Sequence, residues 1–146
     1  MPTVAPPDTA ALAARLRLGV TRLARKLRQE AEPGITPSML SALSSLGRYG
    51  ALTMRDLCAA EQVQPPTMTR VVAAMLEAGL ISREADPDDG RVAWVHLTPA
   101  GAKLLERSRR RKEAYLARAL KNLDPRELET LEDATAILER LTETSS

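Results

Sequence analysis

The 146-residue sequence contains no phenylalanine, and its aromatic side chains are limited to Tyr49, Trp94 and Tyr115. Any hydrophobic core must therefore be aliphatic. Leucine and alanine dominate the apolar residues, and both favour helix. A chain of this length can bury roughly two-thirds of the surface that it exposes when unfolded, so a substantial core is feasible. These observations predict a mostly helical chain.

Cysteine and histidine are equally scarce, since Cys58 and His96 are the only ones. A single cysteine cannot form an internal disulfide, so nothing indicates an oxidising compartment. The sequence has no Cys/His cluster with metal-ligand spacing, no glycine-rich phosphate loop and no convincing pair of nucleophile and base. We therefore expect no metal, no cofactor and no enzymatic activity.

No stretch of the sequence approaches the roughly 18 apolar residues of a membrane span. Residues 1–7 also lack a basic flank followed by an apolar run, which a secretory signal would need. With three prolines they predict a flexible arm that contributes little to a core. The expected location is the cytoplasm, without membrane contact.

Charge is unevenly distributed, although the net charge is only +2. Residues 121–146 contain three basic and seven acidic residues, a net charge of −4, which leaves +6 for the first 120. Two interpretations stay open at this point: a basic surface that binds a polyanion, or two solvated faces.

Apolar residues at helical spacing predict a long amphipathic helix that begins near Asp8 and ends before Pro33 and Gly34. After Thr98 and Pro99 another helix is predicted to run to about Leu123. A cap at Asp124 followed by Pro125 predicts the last helix. The apolar stripe of the first helix consists of Leu12, Leu16, Val20, Leu23 and Leu27.

Between these ends, caps, prolines and glycines predict short elements. Two of the short helices face each other across a tight break at residues 63–66, which is typical of a helix-turn-helix. Two apolar segments then flank a polar stretch at residues 86–91, a pattern that predicts two strands joined in a hairpin. The predicted segments are a helix from Thr36–Pro37 to about Leu46, closed by Gly47 and Gly50, an extended segment at 51–53, a helix from Thr53 to about Glu61, a helix from Pro66 to about Ala78, and strands at 80–84 and 92–97.

The helix predicted after Pro66 has two contrasting faces at about 100° per residue. One face is apolar and is expected to pack inward. The other carries small residues, hydroxyls and one arginine, a combination that suits the major groove of DNA. The alternative is an ordinary surface helix, which would more often carry Lys and Glu. The inward residues are Met68, Val71, Val72, Met75 and Leu76, and the outward ones are Pro66, Thr67, Thr69, Arg70, Ala73, Ala74 and Glu77.

The tip of the predicted hairpin adds a second, independent feature. Arg91 lies at the base of the loop, from which it can reach a narrow minor groove whose negative potential favours a guanidinium. Asp89 can hold Arg91 in position or shape the turn. The alternative is a solvated turn, because Asp-Gly-Arg is common in such loops.

The order of these elements resembles the MarR family of bacterial transcription regulators over nearly the whole chain. The most specific part is residues 89–91 (Asp-Gly-Arg) followed by residues 95–101 (Val-His-Leu-Thr-Pro-Ala-Gly), which matches the Asp-x-Arg and Leu-Thr-x-x-Gly pattern of the family's wing. Residues 66–81 look like its recognition helix running into the first wing strand.

The resemblance implies an α+β, mostly helical fold: a winged helix-turn-helix core with terminal helices that form a dimerisation region. We expect one domain over residues 8–146, in which 36–97 form the DNA-binding lobe and 8–34 and 98–146 mainly dimerise. The residues implied to contact DNA are Thr67, Thr69 and Arg70 in the major groove, Arg91 in the minor groove with support from Asp89, and, with weaker support, Gln64 and Pro65.

The implied function is sequence-specific binding of double-stranded DNA by a homodimer that represses transcription from a pseudo-palindromic operator. Family members often respond to small aromatic effectors, but a chain without phenylalanine gives no ligand pocket to assign. A winged-helix module that binds a protein partner instead of DNA is the alternative.

Two further features have simpler explanations. The basic run from Arg107 to Lys112 can bind phosphates, but its place inside a predicted dimerisation helix favours a solvated face that pairs with the acidic last helix. Cys58 can act as a redox sensor, but its place beside Leu57 in a short packed helix favours a structural role.

Overall fold

The computed structural model describes residues 4–143. Met1–Thr3, part of the expected arm, and the last three residues lie outside this range, and residues 4–7 are exposed and have no regular structure. The elements are α1 (Thr9–Arg28), α2 (Pro37–Tyr49), β1 (Leu52–Thr53), α3 (Met54–Glu61), α4 (Pro65–Glu77), β2 (Ile81–Ala85), β3 (Ala93–Leu97), α5 (Pro99–Leu120) and α6 (Pro125–Glu143).

The predicted fold class is confirmed, since helices dominate and the strands form one small antiparallel sheet. The strand order is β1-β3-β2, so that β3 is central. Ile81 is paired with Leu97 and Ala85 with Ala93, which gives the predicted hairpin with residues 86–92 as its loop. β1 pairs with β3 through Leu52 and Val95.

Each predicted N-terminal cap is present. The side chains of Asp8, Thr36 and Thr53 accept hydrogen bonds from main-chain amides of the first turns of α1, α2 and α3 at 3.0 to 3.1 Å. At the start of α6, Asp124 and Glu127 each accept from the other's amide. Such caps satisfy amides that have no partner within the helix, and this is why these boundaries were predictable.

Several predicted boundaries differ from the structure by one to three residues, including those of α2, α4, α5 and both wing strands. Gly47 does not close α2, which continues to Tyr49 and ends at Gly50 with φ 80°. A Cβ at Gly47 would lie 2.9 Å from Leu105 Cδ2, so glycine is present for packing rather than for termination. The first residue of α4 is Pro65 instead of Pro66, and α5 ends at Leu120 instead of Leu123.

The core is aliphatic, as expected. Its fully buried side chains come from α2, α3, α4 and β3, so the sheet and the helix-turn-helix share one hydrophobic cluster. Burying each of these side chains stabilises the fold by roughly 1.5–3 kcal/mol relative to exposure. The largest are Leu43, Leu46, Leu57, Met68, Val72, Met75 and Val95.

One polar junction joins the start of α5 to the chain that links α4 and β2. The Thr98 hydroxyl donates to the Gly79 carbonyl at 2.7 Å and accepts from the Gly101 amide at 3.1 Å. The Thr98 amide donates to the Leu80 carbonyl at 3.1 Å. A Cβ at Gly101 would lie 2.1 Å from that carbonyl oxygen, so only glycine allows α5 to begin this close.

The chain divides into two compact units between Arg111 and Lys112. The first contains the sheet and the helix-turn-helix, and the second contains the last part of α5 together with α6. The single domain over residues 8–146 and its division into dimerising and DNA-binding parts stay predictions. Within residues 4–143, no helix combines the length and apolarity that crossing a membrane requires.

We expect Gly101→Ala to lower the free energy of unfolding by about 2–4 kcal/mol, because the new methyl group collides with backbone that cannot move aside easily. In an unobstructed helix the same change would instead be favourable by about 1 kcal/mol. Urea denaturation followed by circular dichroism measures the difference. Gly90→Ala, where a Cβ meets nothing within 4 Å, is the matched control and should stay within about 0.5 kcal/mol of the parent. Equal stability of the two variants would contradict the steric explanation.

Candidate nucleic-acid interface

The helix-turn-helix consists of α3 and α4, joined by residues 62–64. Gln62 ends α3 in the left-handed conformation (φ 55°, ψ 44°), which reverses the chain in very few residues. The Val63 amide then donates to the Cys58 carbonyl at 3.1 Å. α3 is also tied to α2, because Glu61 accepts hydrogen bonds from Ser41 and Ser45, both at 2.6 Å. Hydrogen bonds therefore fix the turn on α3 and fix α3 on α2.

The inward face of α4 is largely as predicted. Met68, Val72 and Met75 are buried, and Val71 packs against the core at its edge. Leu76, expected to face inward, is instead 36% exposed, because it lies in the last turn, where the helix leaves the core. Periodicity identified the buried arc but not where the core ends along it.

The outward face presents most of the predicted contact residues at its N-terminal end. Gln64 is the N-terminal cap residue, and its side chain makes no capping hydrogen bond. Pro65 begins the helix and is exposed. Thr67, which was expected to face outward, is half-buried. The Thr69 hydroxyl donates to the Pro65 carbonyl at 2.9 Å. Arg70 is exposed and, within residues 4–143, has no side-chain partner.

The hairpin between β2 and β3, which we call the wing, is organised by an aspartate that the sequence analysis missed. Asp86 Oδ1 accepts from the amides of Asp88 and Asp89 at 2.9 and 3.1 Å, and Oδ2 accepts from the Trp94 indole at 2.8 Å. The hydrogen bond from the Trp94 indole, together with those from the two amides, lowers the pKa of Asp86. The available signal was an Asp-Pro-Asp sequence followed by the only tryptophan, eight residues beyond Asp86.

Asp89 and Arg91 form the predicted pair. Arg91 Nε donates to Asp89 Oδ1 at 3.1 Å, and Nη2 lies 3.4 Å from Oδ2, a two-pronged contact. The same carboxylate accepts the Arg91 amide at 3.1 Å. The Arg91 side chain is nevertheless 91% exposed, and its hydrogen bonds lower the pKa of Asp89. Asp89 therefore orients a guanidinium that solvent or a ligand can still reach.

The structure brings three of the predicted residues together. Pro65, Thr69 and Arg91 line one groove of about 400 Å³ between α3, the start of α4 and the wing. Its other lining residues, which the sequence analysis did not select for binding, are Met54, Arg55, Cys58, Arg83 and Ala93.

Comparison with known proteins identifies this architecture. The model of the MarR family matches residues 35–93, from before α2 to the start of β3. Over 137 residues the chain is 37% identical to an HTH-type transcriptional regulator of Mycobacterium leprae, covering 93% of this chain and 96% of that protein. The chain belongs to the MarR family. It is a transcriptional regulator of the helix-turn-helix type, not an enzyme.

Solved structures agree with the MarR assignment. A putative transcriptional regulator of Pseudomonas aeruginosa superimposes with a TM-score of 0.84 at 34% identity, covering 95% of this chain and all of that one. A single-residue variant of MepR from S. aureus, solved bound to an oligodeoxyribonucleotide, matches with a TM-score of 0.70 at 25% identity, covering 89% and 97% of the two chains.

Three arginines of the basic run form ion pairs with glutamates, but these glutamates lie before and within α5, whereas the sequence analysis expected partners in the acidic last helix. Arg107 donates to Glu32 at 2.7 Å, a contact that lowers the pKa of Glu32 and raises that of Arg107. Arg109 and Arg110 both donate to Glu106 on the same helix. Among residues 4–143, His, Cys, Asp and Glu side chains form no group of three or more that could hold a metal ion.

The lowered pKa of Asp86 gives a prediction for the wing. A depressed carboxyl pKa stabilises the folded wing above the ordinary value of 3.8, and that contribution is lost as pH falls through the lower folded value. Emission of the sole tryptophan should therefore be constant from neutral pH to about pH 4 and change only below 3.8, before or with the loss of helix measured by circular dichroism.

Asp86→Ala should shift the neutral-pH emission of Trp94 and abolish this acid transition, because the indole loses its acceptor. Asp88→Ala is the matched control, since only the amide of Asp88, and not its carboxylate, takes part in the hydrogen bonds of the tip. Identical spectra for the two variants would rule out the indole contact in solution.

Proposed function

We propose that this MarR-family regulator is a cytoplasmic repressor that binds a pseudo-palindromic operator as a homodimer and blocks a promoter while it is bound. The observation that carries the proposal is the pairing of an outward α4 face, free of bulky side chains at its start, with a wing arginine that is exposed yet oriented. Support comes from the fold, shared with a MepR variant solved on an oligodeoxyribonucleotide.

The α4 face supplies contacts of two kinds. Arg70, with no partner of its own, can donate two parallel hydrogen bonds to a guanine edge or bind a phosphate. Because the Thr69 proton is used at Pro65, Thr69 offers an acceptor to a base amino group or its methyl group to a thymine. The Gln64 amide, unused as a cap, can donate to a phosphate at the helix entrance.

The wing supplies the minor-groove contact. A guanidinium held by Asp89 on one side loses less conformational entropy on binding than a free one, and it retains donors for the DNA. The Asp86 hydrogen bonds hold the loop beneath it. We infer that Asp89 acts as a positioning residue for Arg91 rather than as a direct DNA contact, since a carboxylate next to phosphates would be repelled.

Dimerisation is supported by apolar stripes that the single chain leaves exposed. No residue of α1 and none of α6 is buried among the residues described. Exposed leucines and other large apolar side chains at helical spacing are typical of surfaces that another chain covers. They are Leu12, Leu16, Val20 and Leu23 in α1, and Leu128, Leu131, Ile137, Leu138 and Leu141 in α6, each 39% to 53% exposed.

A two-fold dimer presents two α4 helices and two wings. The operator should therefore contain two inverted half-sites roughly 10 base pairs apart, centre to centre. A dimer on such a site covers enough DNA to exclude polymerase from an overlapping promoter. Regulation by a small-molecule effector stays a prediction of the family resemblance.

Arg70→Gln and Arg91→Gln test the DNA contacts. We expect each to weaken binding to an operator duplex by about 1–3 kcal/mol, roughly 5- to 150-fold, per half-site. Arg70→Gln should also reduce the preference for operator over scrambled duplex if it contacts a base. Fluorescence anisotropy with labelled duplex from upstream of the protein's own gene measures both. Arg25→Gln, the same charge change on the α1 face opposite the apolar stripe, is the control and should bind like the parent.

Parent protein that binds neither duplex at low salt would argue against DNA binding and in favour of the protein-interaction module. Weak and equal binding to both duplexes would leave a nonspecific DNA binder or an operator elsewhere. Specific binding falls steeply with salt concentration, whereas docking to a protein partner need not.

Leu131→Lys tests the dimer, because a lysine in a buried apolar interface costs several kcal/mol unless it is paired. We expect it to shift the protein from dimer to monomer in sedimentation equilibrium at micromolar concentration. Glu129→Lys places the same residue on the opposite face of α6 and should leave the parent dimer intact. A monomeric parent, or dimers in both variants, would contradict the assignment.

A further inference from the structure

The groove between α3, α4 and the wing contains three arginines that are far apart in sequence. Arg55 comes from the first turn of α3, Arg83 from β2 and Arg91 from the wing loop. No aspartate or glutamate lines this groove. Asp89 neutralises Arg91 from outside the lining, so Arg55 and Arg83 are the like charges that no carboxylate of the lining compensates, an arrangement that favours binding of an anion.

Two of these arginines have no side-chain partner among the described residues. Arg91 is engaged by Asp89, but the side chains of Arg55 and Arg83 are exposed and form no hydrogen bond or ion pair with any residue from 4 to 143. The basic residues of α5 provide the contrast, since Arg107 and Arg110 are paired with glutamates. The groove therefore holds two guanidiniums that the described residues leave available to a ligand.

The volume and position of the groove limit its occupant. About 400 Å³ is at the lower end of the roughly 300–1,000 Å³ of cavities that hold small organic groups, which is room for a sugar–phosphate unit. The groove is continuous with the start of α4 through Pro65 and Thr69, and with the wing through Arg91. A DNA strand contacted by both elements has to pass over it. Planar guanidiniums bind phosphate oxygens through paired hydrogen bonds.

We infer that this groove binds a phosphodiester of the operator backbone, held by Arg55 and Arg83 and bordered by Arg91. The inference rests on the proposed DNA binding and adds two residues to it. Such a contact carries no base information, so it contributes affinity and places the strand between the recognition helix and the wing. It is independent of which bases Arg70 reads.

The salt dependence of operator binding separates this role from base contact. Each phosphate contact contributes about 0.9 to the slope of log affinity against log salt, so losing one per subunit lowers the slope by about 1.8 for a dimer. We expect the Arg55→Gln, Arg83→Gln double variant to reduce the slope by about this amount, and each single variant by no more than this amount, with the ratio of operator to scrambled affinity unchanged. Arg25→Gln should alter neither quantity, and circular dichroism checks that the variants are folded.

Cys58 gives a second readout, because it is the only cysteine and lines the same groove, half-buried. Saturating operator duplex should slow alkylation of Cys58 by iodoacetamide at least several-fold in the parent. The Arg55→Gln, Arg83→Gln double variant, saturated with the same duplex at lower salt, should lose most of this protection. Inorganic phosphate, at matched ionic strength with potassium chloride as the reference, tests a free anion in place of DNA.

An unchanged slope in the Arg55→Gln, Arg83→Gln double variant, with a parent that binds operator, would overturn the inference and leave the proposed function intact. A parent protein that binds no duplex would contradict both the proposed function and this inference. Protection of Cys58 by millimolar inorganic phosphate together with unchanged slopes would assign the groove to a free phosphorylated ligand and overturn the DNA assignment.

Discussion

The fold of the winged unit depends on the contact between Gly101 and the Leu80 carbonyl. Because glycine has no Cβ, α5 begins directly against the backbone that follows α4, and Thr98 bridges the two segments with its hydroxyl. This junction fixes the end of β3 beside the start of β2, where Ile81 pairs with Leu97. The base of the wing and the end of α4 are consequently held by one set of short contacts.

From this junction α4 and the wing are stabilised in different ways. α4 is held by an aliphatic core, in which Met68, Val72 and Met75 are buried. The tip of the wing has no core of its own and is held by hydrogen bonds to Asp86 and Asp89. Apolar packing is less sensitive to salt and pH than contacts between charged groups are. We therefore expect the stability of the wing tip to depend on pH and salt more than that of α4 does.

Predictions from the sequence were correct where the interaction joins neighbouring residues and wrong where it joins residues that are distant in sequence. Caps such as Thr53 act within one turn, and the predicted start of α3 was confirmed. Gly47 was misassigned because its role is packing against Leu105, which is 58 residues away in sequence. Leu76 lies on the same face of α4 as the buried residues, but it is beyond the end of the core and is exposed. Asp86 was missed because its indole partner only becomes visible once the hairpin register is known.

The sequence by itself determined the helices, the hairpin, the aliphatic core and the family, because periodicity, caps and the wing motif are local patterns. Only the tertiary structure decided which side chains meet. Arg55 and Arg83 are 28 residues apart and carry no motif, yet packing of α3 and β2 around the shared core places both at one groove. Convergence of this kind depends on long-range packing, which no local spacing in the sequence encodes.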